Sequence, residues 1–300
     1  MRIVCNYADT ELKLTNRLLF TLCQFTTIKK ECIQLLTDNI LKKFTFITHL
    51  NLYHNYEVTN SGIKLCKNLK YLKISYKSKI SDYGIANLIN LKELDLSHSK
   101  YCTDYSLIKL SNLKKITCNT LLTNKIGDYL PNLKYLNLIN NDKIDNNILK
   151  KLPNLKVLIT NEEITNIGLA YIPNLEELYI TEDSAITNFG LQQLPKLQIL
   201  ELPTLIRISD NGFKNLTYLE TLYLNDNALI TNEAFKYIPN LKSLTLNFNT
   251  TLTNEIFQYI PKLEMLNIAG YTNINIIDVN KYFSNLKELI YINKKYTFLC

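Results

Sequence analysis

Tryptophan is absent from this 300-residue chain, histidine occurs three times, and glycine, proline and cysteine occur seven times each. With so little glycine and proline, no punctuated linker divides the chain, and its turns are not built by the usual turn formers. Seven cysteines at irregular spacing, an odd number with no Cys-x-x-Cys pair, argue against a disulfide framework and for a reducing, intracellular setting. A glycine-rich phosphate loop, a His-Glu-x-x-His motif and a Gly-x-Ser-x-Gly elbow are all missing, so neither an enzyme nor a cofactor is expected. No run of 18 apolar residues exists, which excludes a helical membrane span. The opening MRIVCNYADTELKL lacks the basic-then-apolar pattern of a secretory signal, and the closing KYTFLC puts Cys300 last rather than fourth from the end, so it is no prenylation box. The expectation is a cytoplasmic protein.

What the chain does contain is 46% hydrophobic and 20% charged residues, the balance of an ordered protein. It also contains a phrase that recurs. ITNIGLAYIPNL begins at Ile164 and ITNFGLQQLPKL at Ile186, 22 residues later. A fixed period of this size marks stacked repeats. Units start at Ile47, Leu69, Leu91, Leu113, Leu133, Leu155, Leu175, Leu197, Leu219, Leu241, Leu263 and Leu286, with steps of 22 except for two of 20 and a last one of 23. The two short units, from Leu113 and Leu155, lose two residues between the strand and the next motif, so they are loop deletions. Counting back gives Phe25 and Ile3 as starts of degenerate units, with LTDNILKKF from Leu36 and LTNRLLFTLCQF from Leu14 matching their second halves. The chain therefore reads as one domain over 1–300, with capping repeats in 1–46, regular repeats in 47–285 and a C-terminal cap in 286–300.

Each unit can be read physically. Leu-x-x-Leu-x-Leu alternates apolar and polar residues, as a short strand with one buried face does. Thr-Asn, Ser-Asp or Thr-Asp then offers side-chain oxygens to cap a helix start. Gly-Leu-x-x-(Leu/Ile) puts two apolar residues on one side of a helical turn, and proline ends it. One unit cannot bury its apolar face alone, but a stack of units can. The expected fold is α/β: a right-handed solenoid of 12–13 repeats, with a parallel sheet on the concave side and short helices or turns on the convex side. A dozen strands at about 4.8 Å spacing give an arc roughly 55 Å long.

The pattern Leu-x-x-Leu-x-Leu-x-x-Asn followed by (Ile/Leu)-(Thr/Ser)-(Asn/Asp)-x-Gly-Leu resembles the leucine-rich repeat family. The second element looks like its cysteine-containing subclass, found in F-box proteins. The units are shorter than is usual for that subclass, and the composition resembles that of proteins from AT-rich genomes, giant DNA viruses of amoebae among them. By that resemblance the Cys/Asn position of the turn is filled by Asn55, Asn141, Asn227 and Asn249, whose side chains should bond loop backbone. Elsewhere the Asn ladder reads as broken, with looser turns expected. The resemblance also implies, as an alternative function, a substrate receptor of a cullin-type ubiquitin ligase. The repeats run back to Leu14, leaving no room for an F-box, so the adaptor would be a separate chain.

Candidate interaction residues follow from the strand alternation. The outward positions on the concave face include His49, Asn51, Tyr53, Tyr71, Lys73, Glu93, Asp95, Tyr135, Asn137, Glu177, Tyr179, Glu201 and Tyr223. Tyrosine anchors many protein interfaces but is also a good strand former, so both readings stand. The histidines His49, His54 and His98 all fall on or beside these positions. His54 and His98 lie two units apart, about 9–10 Å by strand spacing; nothing in that spacing demands a metal, and none is expected. Cys66, Cys102 and Cys118 replace core leucines, while Cys5, Cys23, Cys32 and Cys300 fall in poorly matched ends and are not placed.

Charge is asymmetric. Residues 1–150 carry 22 Lys+Arg against 12 Asp+Glu, and 151–300 carry 12 against 15, within a total of +7. Lys70, Lys92, Lys114, Lys134 and Lys156 are the second residue of five successive units and should form a column. That column is a solvated rim, a surface for an acidic protein, or a site for a nucleic-acid backbone. The leading expectation is a monomeric, non-enzymatic scaffold that binds a protein partner on its concave face, with nucleic acid a lesser alternative.

Overall fold

The computed structural model describes residues 30–204, 206–270, 272–283, 286–291 and 294–297. The unit starts at Ile3 and Phe25 and the half-unit from Leu14 lie outside them, as do Cys5, Cys23 and Cys300, and Cys32 is described by its backbone alone. The chain divides into two compact units, Met1–Asn132 and Leu133–Cys300.

In the first unit, β1 (His49–Asn51), β2 (Tyr71–Lys73), β3 (Glu93–Asp95) and β4 (Lys115–Thr117) pair side by side, all parallel and in sequence order. The registers are the repeat registers, with Leu50 opposite Leu72, Leu72 opposite Leu94 and Leu94 opposite Ile116. The second unit continues the pattern with β5 (Tyr135–Asn137), β6 (Val157–Ile159), β7 (Glu177–Tyr179), β8 (Ile199–Leu202), β9 (Thr221–Asn225), β10 (Ser243–Asn247), β11 (Met265–Ala269) and β12 (Glu288–Tyr291). One strand departs from the parallel rule: β13 (Lys294–Thr297) returns antiparallel along β12 and occupies what would be its open edge.

From β1 to β9 each strand points its central leucine or isoleucine inward and its flanking residues outward. Leu50, Leu72, Ile116, Leu136, Leu158, Leu178, Leu200, Leu222 and Leu244 are fully buried. The helical turns close each coil from the other side with a second apolar row, in which Phe213, Phe235 and Phe257 fill the position held by Leu169 and Leu191 in earlier coils. A core side chain of this size contributes about 1.5–3 kcal/mol when buried, so the repeated row dominates the cohesion of each stack.

The Thr-Asn motif does two jobs. The threonine caps its own helical turn, as expected: Thr59, Thr103, Thr165, Thr231 and Thr253 each accept a backbone N–H two residues on. The Asn or Asp that follows reaches forward to the next coil instead. Asp38 accepts from the Thr59 amide (2.8 Å) and hydroxyl (2.6 Å), and Asp82 and Asp104 do the same to Thr103 and Thr123. Asn166 accepts from the Thr187 amide (2.9 Å) and donates to its hydroxyl (2.9 Å). A hydroxyl can donate or accept, so carboxylate and amide serve equally, and this explains why the motif alternates between Asn and Asp. In three coils the motif glycine leaves room for this contact. A Cβ on Gly62, Gly168 or Gly190 would collide with the Oδ1 of Asp38, Asn146 or Asn166 in the preceding coil.

The turn ladder is more complete than the sequence pattern suggests. Asn55 donates to the carbonyls of Ile33 (2.7 Å) and Leu36 (2.8 Å) and accepts from the Val58 amide (2.9 Å). Asn119 and Asn161 make the equivalent bonds in the two short units. Ser78, Ser99 and Ser184 substitute for Asn in three others, each accepting an amide two residues on. The expectation of looser turns outside the four asparagines is corrected for the two short units, where the two-residue deletions shift Asn119 and Asn161 into the same place. In contrast, Asn227 and Asn249, both expected rungs, keep the acceptor half of the pattern but leave a buried Nδ2 without a partner. Their coils contain the longer strands β9 and β10, where Asn247 donates to Asn225 (2.9 Å) instead.

Candidate interaction surface

In the first unit the outward residues form two columns. His49, Tyr71, Glu93 and Lys115 face one another in register, and so do Asn51, Lys73, Asp95 and Thr117. His49 and Tyr71 stack with centroids 6.1 Å apart. Lys73 pairs with Asp95 at 2.6 Å and lies 5.3 Å from the centre of the Tyr53 ring. Tyr53 belongs to the turn after β1 rather than to the strand, and its ring lies between His54 (4.5 Å) and His98 (5.5 Å). Among the described residues no group of three or more His, Cys, Asp or Glu could hold a metal ion. Tyr53, His54, Asn51 and Lys73 border an open recess of about 270 Å³ with Ile33 and Gln34.

Some candidates serve their own turns. Asn51, Asp95 and Asn137 each accept an amide two residues on, at 2.9–3.0 Å. This spacing fixes the chain as it leaves the strand, so these three shape the surface before they offer anything to a partner.

The second unit presents a different face. One column runs Tyr135, Val157, Glu177, Ile199, Thr221 and Ser243; its neighbour runs Asn137, Ile159, Tyr179, Glu201, Tyr223 and Thr245. Glu201 lies in register between Tyr179 and Tyr223. The Tyr179 hydroxyl donates to Glu177 (3.1 Å). Its pKa is raised well above that of an ordinary phenol, first by burial, then by the Glu177 charge and hydrogen bond, then by Tyr223 and Glu201. Tyr71 in the first unit is raised by burial and then by Asp95.

The five lysines at the second position of their units adjoin one another within each compact unit. The Lys92 amide bonds the Lys70 carbonyl and the Lys114 amide that of Lys92, so these three are neighbours. In the second unit Lys134 adjoins Lys156, and the column then proceeds Glu176, Gln198, Glu220, Lys242, Glu264 and Lys287. Its charges pair along the column: Lys156 with Glu176 at 2.6 Å, Lys242 with Glu220 at 2.7 Å and Lys287 with Glu264 at 2.7 Å. Lys114 and Lys134 reach the carbonyls of Asn132 and Asn154. The cysteines that can be placed are core residues. Burial pushes the thiols of Cys66 and Cys102 up to about 12 and raises that of Cys118 further, so none is a nucleophile at neutral pH. No helix among the described residues is long and apolar enough to cross a membrane.

No protein-family model and no curated protein sequence matches the chain. Solved structures share its fold. An internalin (InlF) from Listeria monocytogenes str. 4b F2365 superposes with a TM-score of 0.54 at 22% identity, over 86% of this chain and 90% of that one. TLR13, solved in complex with ssRNA13, gives 0.54 at 24% identity, over 77% of this chain and 38% of that one. Coil by coil, from strand to turn to helical turn, this chain is a leucine-rich-repeat solenoid.

Proposed function

We propose that this chain is a non-enzymatic scaffold that binds a protein partner on its strand faces. The observation that carries the reading is the Tyr179–Glu201–Tyr223 row, which sets two tyrosines and a carboxylate outward, in register, on a rigid support. Tyrosine buries much area with few torsions and keeps a polar tip, which suits it to partner contact. The support is rigid because, within the second unit, each coil is bonded to the next by the leucine row, the strand pairing and the Asn/Asp rungs. A fold of this kind offers a long outward face, and its use for binding is an analogy at the level of fold.

The test is affinity purification with the wild-type chain and with Tyr179→Ala/Tyr223→Ala. The partner should be lost with the double variant while the circular-dichroism spectrum is unchanged. Equal recovery with both proteins would move the partner off this face.

A further inference from the structure

We propose that the strand face over β6–β9 takes a basic segment of its partner, with an arginine or lysine side chain held between Tyr179 and Tyr223 above Glu201. This deepens the reading just given and rests on it. The first argument is charge. The outward residues of β6–β9 are Val157, Ile159, Glu177, Tyr179, Ile199, Glu201, Thr221, Tyr223 and Asn225, which include two carboxylates and no cation. Glu177 accepts from the Tyr179 hydroxyl, and among the described residues Glu201 makes no ion pair. The nearest lysine column cannot neutralise them, because Lys156 and Lys242 are already paired with Glu176 and Glu220.

The second argument is spacing. Tyr179 and Tyr223 are separated by one strand, so their backbones stand about 9–10 Å apart. A cation midway between rings at that spacing lies roughly 5 Å from each centroid, inside the range of about 6 Å over which an aromatic face attracts a cation. Glu201 supplies the counter-charge at the floor of the gap. Burial and the Glu177 charge hold the Tyr179 phenol in its protonated form. The aliphatic flanks, Ile159 and Ile199, suit the methylene stem of a long basic side chain. Long-range attraction from the whole chain does not create this preference, since the net charge is +7.

The probe is a fluorescein-labelled twelve-residue peptide of alternating arginine and serine, followed by fluorescence anisotropy at physiological salt. Its controls carry citrulline or glutamate in place of arginine. Wild-type protein should bind the arginine peptide and neither control. Glu201→Gln, which keeps the side-chain shape, should weaken binding about tenfold, and Tyr179→Ala/Tyr223→Ala roughly tenfold as well. Failure of the arginine peptide to bind, equal binding to Glu201→Gln, or equal binding of the glutamate peptide would overturn the proposal. The two readings fail separately. A protein partner lost with the tyrosine double variant, alongside an arginine peptide indifferent to Glu201→Gln, leaves the strand-face reading standing and removes the basic segment. Should the double variant not fold, the isosteric Glu201→Gln still decides.

Discussion

Asn161 and Asn227 hold the same place in their coils, lie in the same compact unit and should not be worth the same. Asn161 donates to the Asn141 carbonyl (2.6 Å) and the Ile144 carbonyl (2.8 Å) and accepts from the Ile164 amide (3.2 Å). Asn161→Ala leaves three main-chain groups without that partner, two of them in the preceding coil. Each buried group orphaned in this way costs about 1–3 kcal/mol, so at the lower bound the substitution costs roughly 3 kcal/mol. Asn227 accepts from the Leu229 amide (2.9 Å), but its buried Nδ2 meets nothing. Asn227→Ala therefore loses one bond and also removes a group whose burial was uncompensated, for a net cost of about 1 kcal/mol or less. The gap of about 2 kcal/mol is readable against a total stability of roughly 5–15 kcal/mol. Repeat arrays need not unfold in one step. Urea titration should therefore be paired with amide hydrogen exchange, in which the Ile164 amide should lose protection in Asn161→Ala far more than the Leu229 amide does in Asn227→Ala. Equal costs, or a larger one for Asn227, would refute the assignment of the ladder's strength to its donor half.

Three further outcomes are expected. Gly190→Ala should destabilise by about 1–3 kcal/mol, because the new methyl meets the Asn166 Oδ1; Asn166→Ala in the same chain should relieve the clash, giving a positive coupling in a double-mutant cycle of unfolding midpoints. The thiols of Cys66 and Cys102 ordinarily titrate near 9.0 but are held to about 12 in the fold. Their contribution to stability is complete below pH 9 and lost as pH rises toward 12, so stability measured by denaturant should fall across that window, and peptide mapping after thiol alkylation at pH 8 should find both unlabelled until denaturant is added. If the first-unit lysines recruit an acidic partner, Lys70→Gln/Lys92→Gln/Lys114→Gln should weaken its capture and flatten the salt dependence; unchanged salt dependence would make them a solvated rim.

Much of this was legible in the sequence because the repeat keeps phase. A period of 22 with strict alternation at Leu-x-Leu assigns both the strand register and the outward residues, and each strand-borne candidate from His49 to Tyr223 stands on the face its position dictates. What escaped was whatever depends on contact between coils. Asp38 and Asn166 look like parts of helix caps in one dimension; only stacking shows them bonding a threonine 21 residues away. Asn119 and Asn161 were hidden by the two-residue deletions, although re-aligning the short units on their Ile/Leu-Thr-Asn motifs would have found them. The missing partners of Asn227 and Asn249 leave no sequence signal, since both fit the repeat pattern as well as Asn55 does. Which lysines are neutralised was partly readable, because Glu176 and Glu220 share the column, but the pairing at 2.6–2.7 Å belongs to the structure.

The most direct test of a partner-binding strand face is site-specific photo-crosslinking in cells. A benzophenone side chain placed at position 223, on the strand face, is compared with one at position 105, where Tyr105 is 70% exposed on a helical turn. A strand-face scaffold yields a discrete protein adduct from 223 and none from 105. An adduct from 105 with none from 223 would contradict it.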